Sequence, residues 1–292
     1  MTDARTITMT LGGTWRASYG SCPCPVCQPE RRPDQRALSV TEAGGKLLLH
    51  CHKAACDFRN IAAAAGIAPG AVSRPDPATL AAQEAARKAE TEKRERQARA
   101  IWAETVPIYG TLAEDYLQRR GITCALPESL RFHPDLWHAT ATRWPALVAL
   151  VEGGNGFGIH RTYLSRDGAG KAPVAPSKAM LGTCSGGAVR LSSYPGPLVI
   201  SEGIETGLSL ICGWLEEPAT VLAALSTSGM CNLRLPRQPG HLTIGVDGDK
   251  AGRDAAETLS ERAYFAGWRV FWREAAEGQD FNDMLMARGV AK

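Results

Sequence analysis

Two aspartates with a glycine between them follow an apolar run in the sequence 244-IGVDGDKAGRDAA-256. The apolar run is typical of a buried strand, and the residues after Asp249 are typical of a helix. Like charges at the tip of a buried strand repel each other and are costly to remove from water. Carboxylate oxygens are the ligands that Mg²⁺ takes in proteins. Since Asp-Gly is also a common turn dipeptide, this stretch alone predicts either a metal site or a turn.

Further acids lie where they would join this pair. Glu202 ends the strand-like run 197-PLVISEG-203, and Asp280 precedes the last helical segment. In an open parallel sheet, ligands bind outside the carboxyl ends of the strands, so Glu202 and Asp247 would converge there. Convergent carboxylates suit a site for one or two Mg²⁺ ions in phosphoryl transfer. Taken alone, Asp280 is better explained as a helix cap.

The cysteines are unevenly distributed, since five of the nine lie within residues 22–56. In a chain without an export signal, such a cluster indicates metal binding rather than a disulfide framework. Two pairs with the spacing of zinc knuckles provide the ligands: Cys24, Cys27, Cys51 and Cys56. We therefore predict a structural Zn²⁺ held by four thiolates. Other potential ligands nearby are interpreted as bystanders: Cys22, His50 and His52.

Two glycine-rich stretches have simpler explanations than nucleotide binding. The stretch 168-GAGK-171 lacks the first glycine and the final Ser/Thr of a P-loop, so we reject an ATP-motor function. The stretch 153-GGNGFG-158 lies between two strand-like runs and predicts a hairpin turn.

Composition narrows the class of protein. The chain has 292 residues, 44% of them hydrophobic, and a net charge of +3, so a nucleic-acid surface would have to be local. Its apolar runs are too short for a membrane span, and its N-terminus lacks the pattern of a signal peptide. We expect a cytoplasmic protein with no membrane partner.

Two motifs together resemble the Toprim fold that bacterial-type primases, topoisomerases and some nucleases share: 199-VISEGIETGLSL-210 and 246-VDGDKAGRDAA-256. The N-terminal cysteine module favours the primases of phages and plasmids. Other segments resemble that group as well: 110-GTLAEDYLQRRGI-122, 130-LRFHP-134, 156-GFGIHRTYL-164, 176-PSKAMLG-182 and 278-GQDFNDML-285. A topoisomerase is disfavoured because none of the six tyrosines has the setting of a transesterifying residue.

The resemblance implies an α/β fold: a Toprim-type parallel sheet with flanking helices, preceded by a small zinc-ribbon β module and a connecting helix. The expected parts are a zinc ribbon (1–68), a linker with a charged helix (69–105), the N-terminal part of a catalytic core (106–195) and a Toprim domain (196–292).

The resemblance also implies roles for single residues. Glu202 would help to activate the attacking 3′-hydroxyl. Asp247 and Asp249 would hold Mg²⁺ (or Mn²⁺) and through it the triphosphate, and Asp280 would complete the metal site. The cations implied for template or nucleotide contacts are Arg161, Lys178, Lys250 and Arg253.

Two positions depart from the pattern of housekeeping primases. Thr206 stands where those enzymes usually carry an aspartate, and Asn282 stands where an acid is common. The neighbouring Glu205 is one step from the expected place.

The expected function is that of a DNA primase, a nucleotidyltransferase of the DNA-directed RNA polymerase type in plasmid or phage DNA replication. Its partners would be a single-stranded DNA template, ribonucleoside triphosphates and a replicative helicase supplied in trans. Two alternatives stay open: a Toprim metal-dependent nuclease or nickase, and a catalytically inactive accessory protein that binds single-stranded DNA.

Overall fold

A computed structural model describes residues 3–16, 18–32, 34–43, 46–67 and 77–290. The chain divides into two compact units, Met1–Ala89 and Glu90–Lys292. Residues 69–76, the first part of the linker expected at 69–105, lie outside the described residues.

The first unit is built on a four-stranded antiparallel sheet in the order β1-β2-β3-β4. Its elements are α1 (Ala4–Thr10), β1 (Thr14–Arg16), β2 (Tyr19–Cys22), β3 (Leu38–Ala43), β4 (Lys46–Cys51) and α2 (Phe58–Ala64). Leu38 and Val40 alternate toward the core and pack with Ile61 of α2. The small β module expected from the sequence is confirmed.

Helix α3 (Pro77–Glu104) confirms the connecting helix expected from the Ala/Glu/Lys/Arg tract. This helix is not solvated along its whole length, because Ala98 is fully buried against the antiparallel sheet of the second unit. A small side chain permits this approach: a Cβ on Gly182 would lie 3.2 Å from Cβ of Ala98.

The second unit begins with a five-stranded antiparallel sheet in the order β5-β6-β7-β8-β9. Its elements are β5 (Val106–Pro107), α4 (Leu112–Arg119), β6 (Leu130–His138), β7 (Thr142–Val151), β8 (Gly158–Tyr163) and β9 (Lys178–Gly182). Strands β6 to β9 follow one another along the chain without a helix between them, and each pairs antiparallel with the next. The hairpin predicted at residues 153–158 is confirmed by the pairing of Val151 with Gly158.

A second five-stranded sheet follows, in the order β10-β12-β11-β13-β14. Its elements are β10 (Val189–Ser192), β11 (Leu198–Ser201), α5 (Ile204–Gly213), β12 (Thr220–Ala223), α6 (Thr227–Asn232), β13 (His241–Val246), α7 (Lys250–Phe265), β14 (Arg269–Glu274) and α8 (Phe281–Val290). Strands β11 to β14 are parallel, as predicted, and β10 is an antiparallel edge strand.

One hydrophobic core joins the two sheets of the second unit. Leu130 and Leu147 of the antiparallel sheet pack in the same cluster as Val199 of β11, Leu208 of α5 and Phe281 of α8. Their burial fixes the loops at the carboxyl ends of β11 and β13 relative to the antiparallel sheet. None of the described helices is long and apolar enough to cross a membrane.

Candidate functional site

Two of the predicted acids lie at the carboxyl ends of neighbouring parallel strands. Glu202 follows β11 and Asp247 follows β13, and the two strands pair with Ser201 opposite Gly245. Asp249 is the N-cap of α7, where its Oδ1 accepts a hydrogen bond from the Gly252 N–H at 2.6 Å. The stretch 247–249 is therefore the link between a strand end and a helix start, which suits a ligand site at this edge.

The glycine in this stretch is required by a close backbone approach. Gly248 donates its N–H to the Gln279 carbonyl at 2.9 Å and accepts from the Gly278 N–H at 2.7 Å. A Cβ at Gly248 would lie 1.9 Å from the carbonyl oxygen of Ala276. This pairing brings the segment before α8, and with it Asp280, beside Asp247.

Asp280 has two interactions at once. Its Oδ1 accepts the Asp283 N–H at 2.8 Å, and Oδ2 of Asp283 accepts the Asp280 N–H at 3.1 Å. This reciprocal arrangement is a capping box for α8. The charge of Asp280 also acts on Asp247. The helix-cap interpretation and the interaction with the acids therefore both apply.

The acids influence each other electrostatically. Burial raises the pKa of Asp247 to about 7, together with the negative charges of Asp280 and Glu202. Burial and then the charge of Asp249 raise the pKa of Glu202, and Lys178 acts in the opposite direction. Carboxylates that repel one another in a half-buried site are the donor set that a hard divalent cation neutralises. In the described part of the chain, however, they do not form a group of three close enough to share one ion.

Thr206, the first of the two departures from the housekeeping pattern, contacts one of the acids directly. Thr206 is buried, and its Oγ1 donates a hydrogen bond to Oδ1 of Asp247 at 3.3 Å. Asn282, the second departure, is instead part of the packing: its amide donates to the Arg120 carbonyl at 2.8 Å and to Oγ of Ser209 at 3.0 Å.

Glu205, one residue before Thr206, faces a different group. Its Oε2 lies 3.0 Å from Nζ of Lys178 and its Oε1 lies 3.9 Å from Nζ of Lys171. Tyr116 also donates its hydroxyl to Oε1 at 2.9 Å. Burial acts to raise the pKa of Glu205, but the two lysines outweigh it and lower the pKa to about 2. Sequence reasoning missed this cluster, because its members lie far apart in the chain.

The predicted cations lie in the second unit and already have protein partners. Lys178 is paired with Glu205, and Lys250 is 2.8 Å from Oδ2 of Asp254. Arg253 is paired with two glutamates, at 3.0 Å from Glu274 and 2.9 Å from Glu277.

The fourth cation, Arg161, is half-buried on β8. It donates from Nη2 to the Met180 carbonyl at 3.4 Å, and its Nε has no hydrogen-bond partner among the described residues. Contact with a phosphate remains a prediction for all four cations.

The cysteine pairs form a compact group in the first unit. The sulfurs of Cys24, Cys27, Cys51 and Cys56 all lie within 4.8 Å of one another, and those of Cys27 and Cys51 are 3.5 Å apart. A tetrahedral zinc with Zn–S bonds of about 2.3 Å separates its sulfurs by about 3.8 Å. The size of the group therefore fits Zn²⁺.

The backbone around Cys51 also favours a thiolate. Burial raises the pKa of Cys51, but N–H groups of Ala54, Cys56 and Lys53 donate to its sulfur and lower the pKa to about 6. The residues interpreted from the sequence as bystanders lie outside this group: Cys22, His50 and His52. Nε2 of His52 instead lies 2.7 Å from Oγ of Ser39.

Residues 197–291 match a family model described as a Toprim domain. This segment is a Toprim domain. All the predicted metal-binding acids belong to the Toprim domain, and the fold implied by the sequence motifs is confirmed. Residues 92–191 match a model described as a domain of unknown function, DUF7146.

The chain is also similar to solved structures of primases. With the zinc-binding and RNA polymerase domains of the Aquifex aeolicus primase it shares 14% identity at a TM-score of 0.38, covering 99% of this chain and 80% of that one. With the primase fragment of the bacteriophage T7 primase-helicase it shares 13% identity at a TM-score of 0.34, covering 92% of this chain and 94% of that one. With the RNA polymerase domain of the Mycobacterium tuberculosis primase it shares 16% identity at a TM-score of 0.30, covering 64% of this chain and 66% of that one. A comparison with curated proteins gave no match.

Proposed function

We propose that this protein is a DNA primase that synthesises short RNA primers on single-stranded DNA from ribonucleoside triphosphates. The observation that carries the proposal is the presence, in one chain, of a four-thiol β module and a Toprim domain whose Glu202 and Asp247 end adjacent parallel strands. We also propose that the protein acts in plasmid or phage replication with a helicase supplied in trans. Its proposed parts are those expected from the sequence: a zinc ribbon (1–68), a linker with a charged helix (69–105), the N-terminal part of a catalytic core (106–195) and a Toprim domain (196–292).

In this proposal Glu202, Asp247, Asp249 and Asp280 would converge on Mg²⁺ or Mn²⁺ when it binds, since without an ion they lie too far apart to share one. When bound, the ion would neutralise charge on the triphosphate and favour loss of the proton from the attacking hydroxyl. As a metal-linked acid, Glu202 would help to activate the attacking 3′-hydroxyl. Thr206 fixes the orientation of the Asp247 carboxylate. The 3′-oxygen then bonds to the α-phosphorus and pyrophosphate leaves.

The first unit has a separate role in this proposal. Its four cysteines would hold a structural Zn²⁺, which leaves no open coordination position for catalysis. The module would instead engage the single-stranded template.

A primer-synthesis assay on single-stranded DNA, with labelled ribonucleotides and Mg²⁺, tests the proposal. We expect RNA products from the wild-type protein and none from the Asp247→Asn/Asp249→Asn variant. Asp135→Asn is the matched control, since Asp135 lies in the second unit and forms an exposed ion pair with Arg143.

The same preparations should be incubated with supercoiled plasmid and with a labelled oligonucleotide. Plasmid nicking that requires Asp247 and Asp249, without RNA products, would show that the protein is a Toprim nuclease and not a primase. Binding of single strands with neither activity would leave a replication accessory protein.

A further inference from the structure

Two cysteines outside the predicted zinc site lie against each other in the second unit. Cys212 is on the last turn of α5, and Cys124 follows α4, 88 residues earlier in the chain. The backbone N–H of Cys124 donates a hydrogen bond to Sγ of Cys212 at 3.4 Å, and Sγ of Cys124 lies 3.9 Å from the Leu208 carbonyl of the same helix. Contact between the backbone of one cysteine and the sulfur of the other is the proximity that a disulfide requires.

Both thiols lie at the edge of the shared core rather than inside it. Cys124 and Cys212 are partly buried and pack against the core cluster, whereas the adjacent residues Thr123 and Gly213 are exposed. A small oxidant in the solvent can therefore reach the pair. A fully enclosed thiol would be inert by comparison.

The surroundings of Cys212 favour a thiolate. The Cys124 thiol and the N–H groups of Cys124 and Thr123 donate hydrogen bonds to its sulfur and lower the pKa of Cys212, against the opposing effect of burial. The same contact between the sulfurs, together with burial, raises the pKa of Cys124, which therefore keeps its proton. The pair thus has one nucleophilic sulfur and one thiol beside it, which is the arrangement of a reactive cysteine and its resolving partner.

The other two single cysteines of the second unit lack this arrangement. Cys184 lies 3.7 Å from the Leu181 carbonyl, and burial raises its pKa. Among the described residues, no hydrogen bond joins Cys184 or Cys231 to another thiol. These two residues therefore serve as controls for the pair.

A bond between the two sulfurs would link two parts of the second unit that are distinct in sequence. Cys124 belongs to the segment 92–191, and Cys212 belongs to the Toprim domain. The bond would close a loop of 88 residues, which restricts the unfolded chain and so favours the folded state. It would also fix α5, the helix that follows Glu202, to the end of α4.

We propose that Cys124 and Cys212 form an intramolecular disulfide under oxidising conditions, so that the pair is an oxidation site that fastens the Toprim domain to the segment before it. Neither residue is among the predicted metal ligands, and the proposal does not depend on the proposed function.

The oxidant of this step is a hydroperoxide. The Cys212 thiolate attacks one oxygen and breaks the O–O bond, which gives a sulfenic acid and an alkoxide or hydroxide that takes up a proton. The Cys124 sulfur then attacks the sulfenic sulfur and loses its proton, and the displaced hydroxide leaves as water. The two sulfurs lose two electrons in total and the hydroperoxide gains them, and an added dithiol reverses the oxidation by exchange.

Peptide mapping of the purified protein after mild hydroperoxide treatment and alkylation tests the proposal. Trypsin releases Cys124 by cleavage after Arg120 and Arg131, but Cys212 and Cys231 share one peptide because no Lys or Arg separates them. The variants Cys212→Ser and Cys231→Ser distinguish these two partners. We expect the linked peptides in monomeric wild-type protein and in Cys231→Ser, and their loss in Cys212→Ser and after treatment with dithiothreitol.

Thermal unfolding gives a second readout, as the difference between the oxidised and reduced forms of each variant. The unfolding temperature of the second unit should rise by about 5 °C or more on oxidation of the wild type, because a long loop is closed. Cys124→Ser should show no rise, and it accounts for oxidation elsewhere, including the four thiols of the first unit. Cys184→Ser is the matched control, because Cys184 packs against the same core cluster, and it should gain as much as the wild type.

Three results would overturn the proposal. The first is oxidation of Cys212 to the sulfinic acid without linked peptides, and the second is a link found only in covalent dimers or only between Cys124 and Cys231. The third is a link between Cys124 and Cys212 with no rise in the unfolding temperature, which would show that the bond does not fasten the two parts.

Discussion

Thr206 Oγ1 donates a hydrogen bond to Asp247 Oδ1 over 3.3 Å, and this contact joins the first turn of α5 to the end of β13. Thr206 departs here from the pattern of housekeeping primases, which usually carry an aspartate at this position. A neutral donor here lowers the pKa of Asp247, whereas another carboxylate would raise it.

The first prediction concerns this hydrogen bond. Thr206→Val removes the donor at nearly constant volume, so the pKa of Asp247 should rise above about 7 by about 0.3–1 pH unit, the equivalent of one hydrogen bond. The shift applies to the metal-free protein. The measurement is an NMR titration of the Asp247 carboxyl group in a chelator. Thr220→Val is the control, because Thr220 bonds to the Tyr194 backbone instead. An unshifted titration curve for Thr206→Val would contradict the prediction.

The second prediction concerns the stability of the metal-free protein. The pKa of Asp247 is about 7 in the folded state, above the value of about 3.9 in an unfolded chain, so the folded state holds more protons between these values. Its ionisation therefore destabilises the fold progressively as pH rises from about 4 to about 7.

Asp247→Asn should stabilise the protein by about 1–3 kcal/mol at pH 8 and by less at pH 5. The amide oxygen still accepts the bond from Thr206. Thermal unfolding in a chelator at both pH values is the measurement, with Asp135→Asn as the control. If Asp247→Asn raised the stability equally at both pH values, the ionisation of Asp247 would not be the cause.

The elements that carry the acids could be predicted from the sequence. Strands β11 and β13 are apolar runs that stop at Glu202 and Asp247, and parallel strands bring such ends to one edge. The spacing of the cysteine pairs likewise predicted the group of four sulfurs.

The contacts of Glu205 could not be predicted in this way. Lys171 and Lys178 come from the connection between β8 and β9 and from β9 itself, and the antiparallel pairing in that region was not predicted. Whether position 205 or 206 faces the acids depends on the rotation of α5, which follows from packing in the shared core. The cap at Asp249 and the ion pairs of Arg253 similarly depend on tertiary structure.

The third prediction concerns Gly248. In Gly248→Ala the new Cβ would lie 1.9 Å from a backbone carbonyl, so the segment 276–279 must move away from residues 247–249. We expect Mg²⁺-dependent synthesis to fall by at least tenfold, with destabilisation of about 1–3 kcal/mol from overpacking. Gly240→Ala is the control, because a Cβ there meets only the Trp268 ring, at 3.8 Å. Wild-type activity in Gly248→Ala would show that this approach does not position the acids.

The fourth prediction concerns Glu205. Glu205→Gln keeps an oxygen that accepts from Tyr116 but leaves the two lysines without their counter-charge. Because the lysines are partly exposed, we expect a cost of about 1–3 kcal/mol in the free energy of unfolding. Because the folded-state pKa of Glu205 is about 2, its contribution is present above about pH 4.5 and is lost as pH falls toward 2.

Thermal or denaturant unfolding between pH 3 and pH 7 should therefore show the largest difference from the wild type at neutral pH. Glu152→Gln is the matched control, since Glu152 forms an exposed ion pair with Arg190. If Glu205→Gln lowered the free energy of unfolding no more than Glu152→Gln at pH 7, the ion pairs of Glu205 would not stabilise the fold.

The last prediction concerns the four thiols of the first unit. Purified protein should contain about one Zn²⁺ per chain, because sulfurs within 4.8 Å of one another match the size of a tetrahedral thiolate site. Cys51→Ser/Cys56→Ser removes two ligands and should abolish zinc by elemental analysis. Since binding of a structural zinc is coupled to folding, the first unit should also become protease-sensitive, while residues 90–292 keep their own hydrophobic core. His52→Ala is the control and should retain full zinc, because His52 contacts Ser39 instead of the thiols. Full zinc in the double variant would place the ion, or its ligands, elsewhere in the chain.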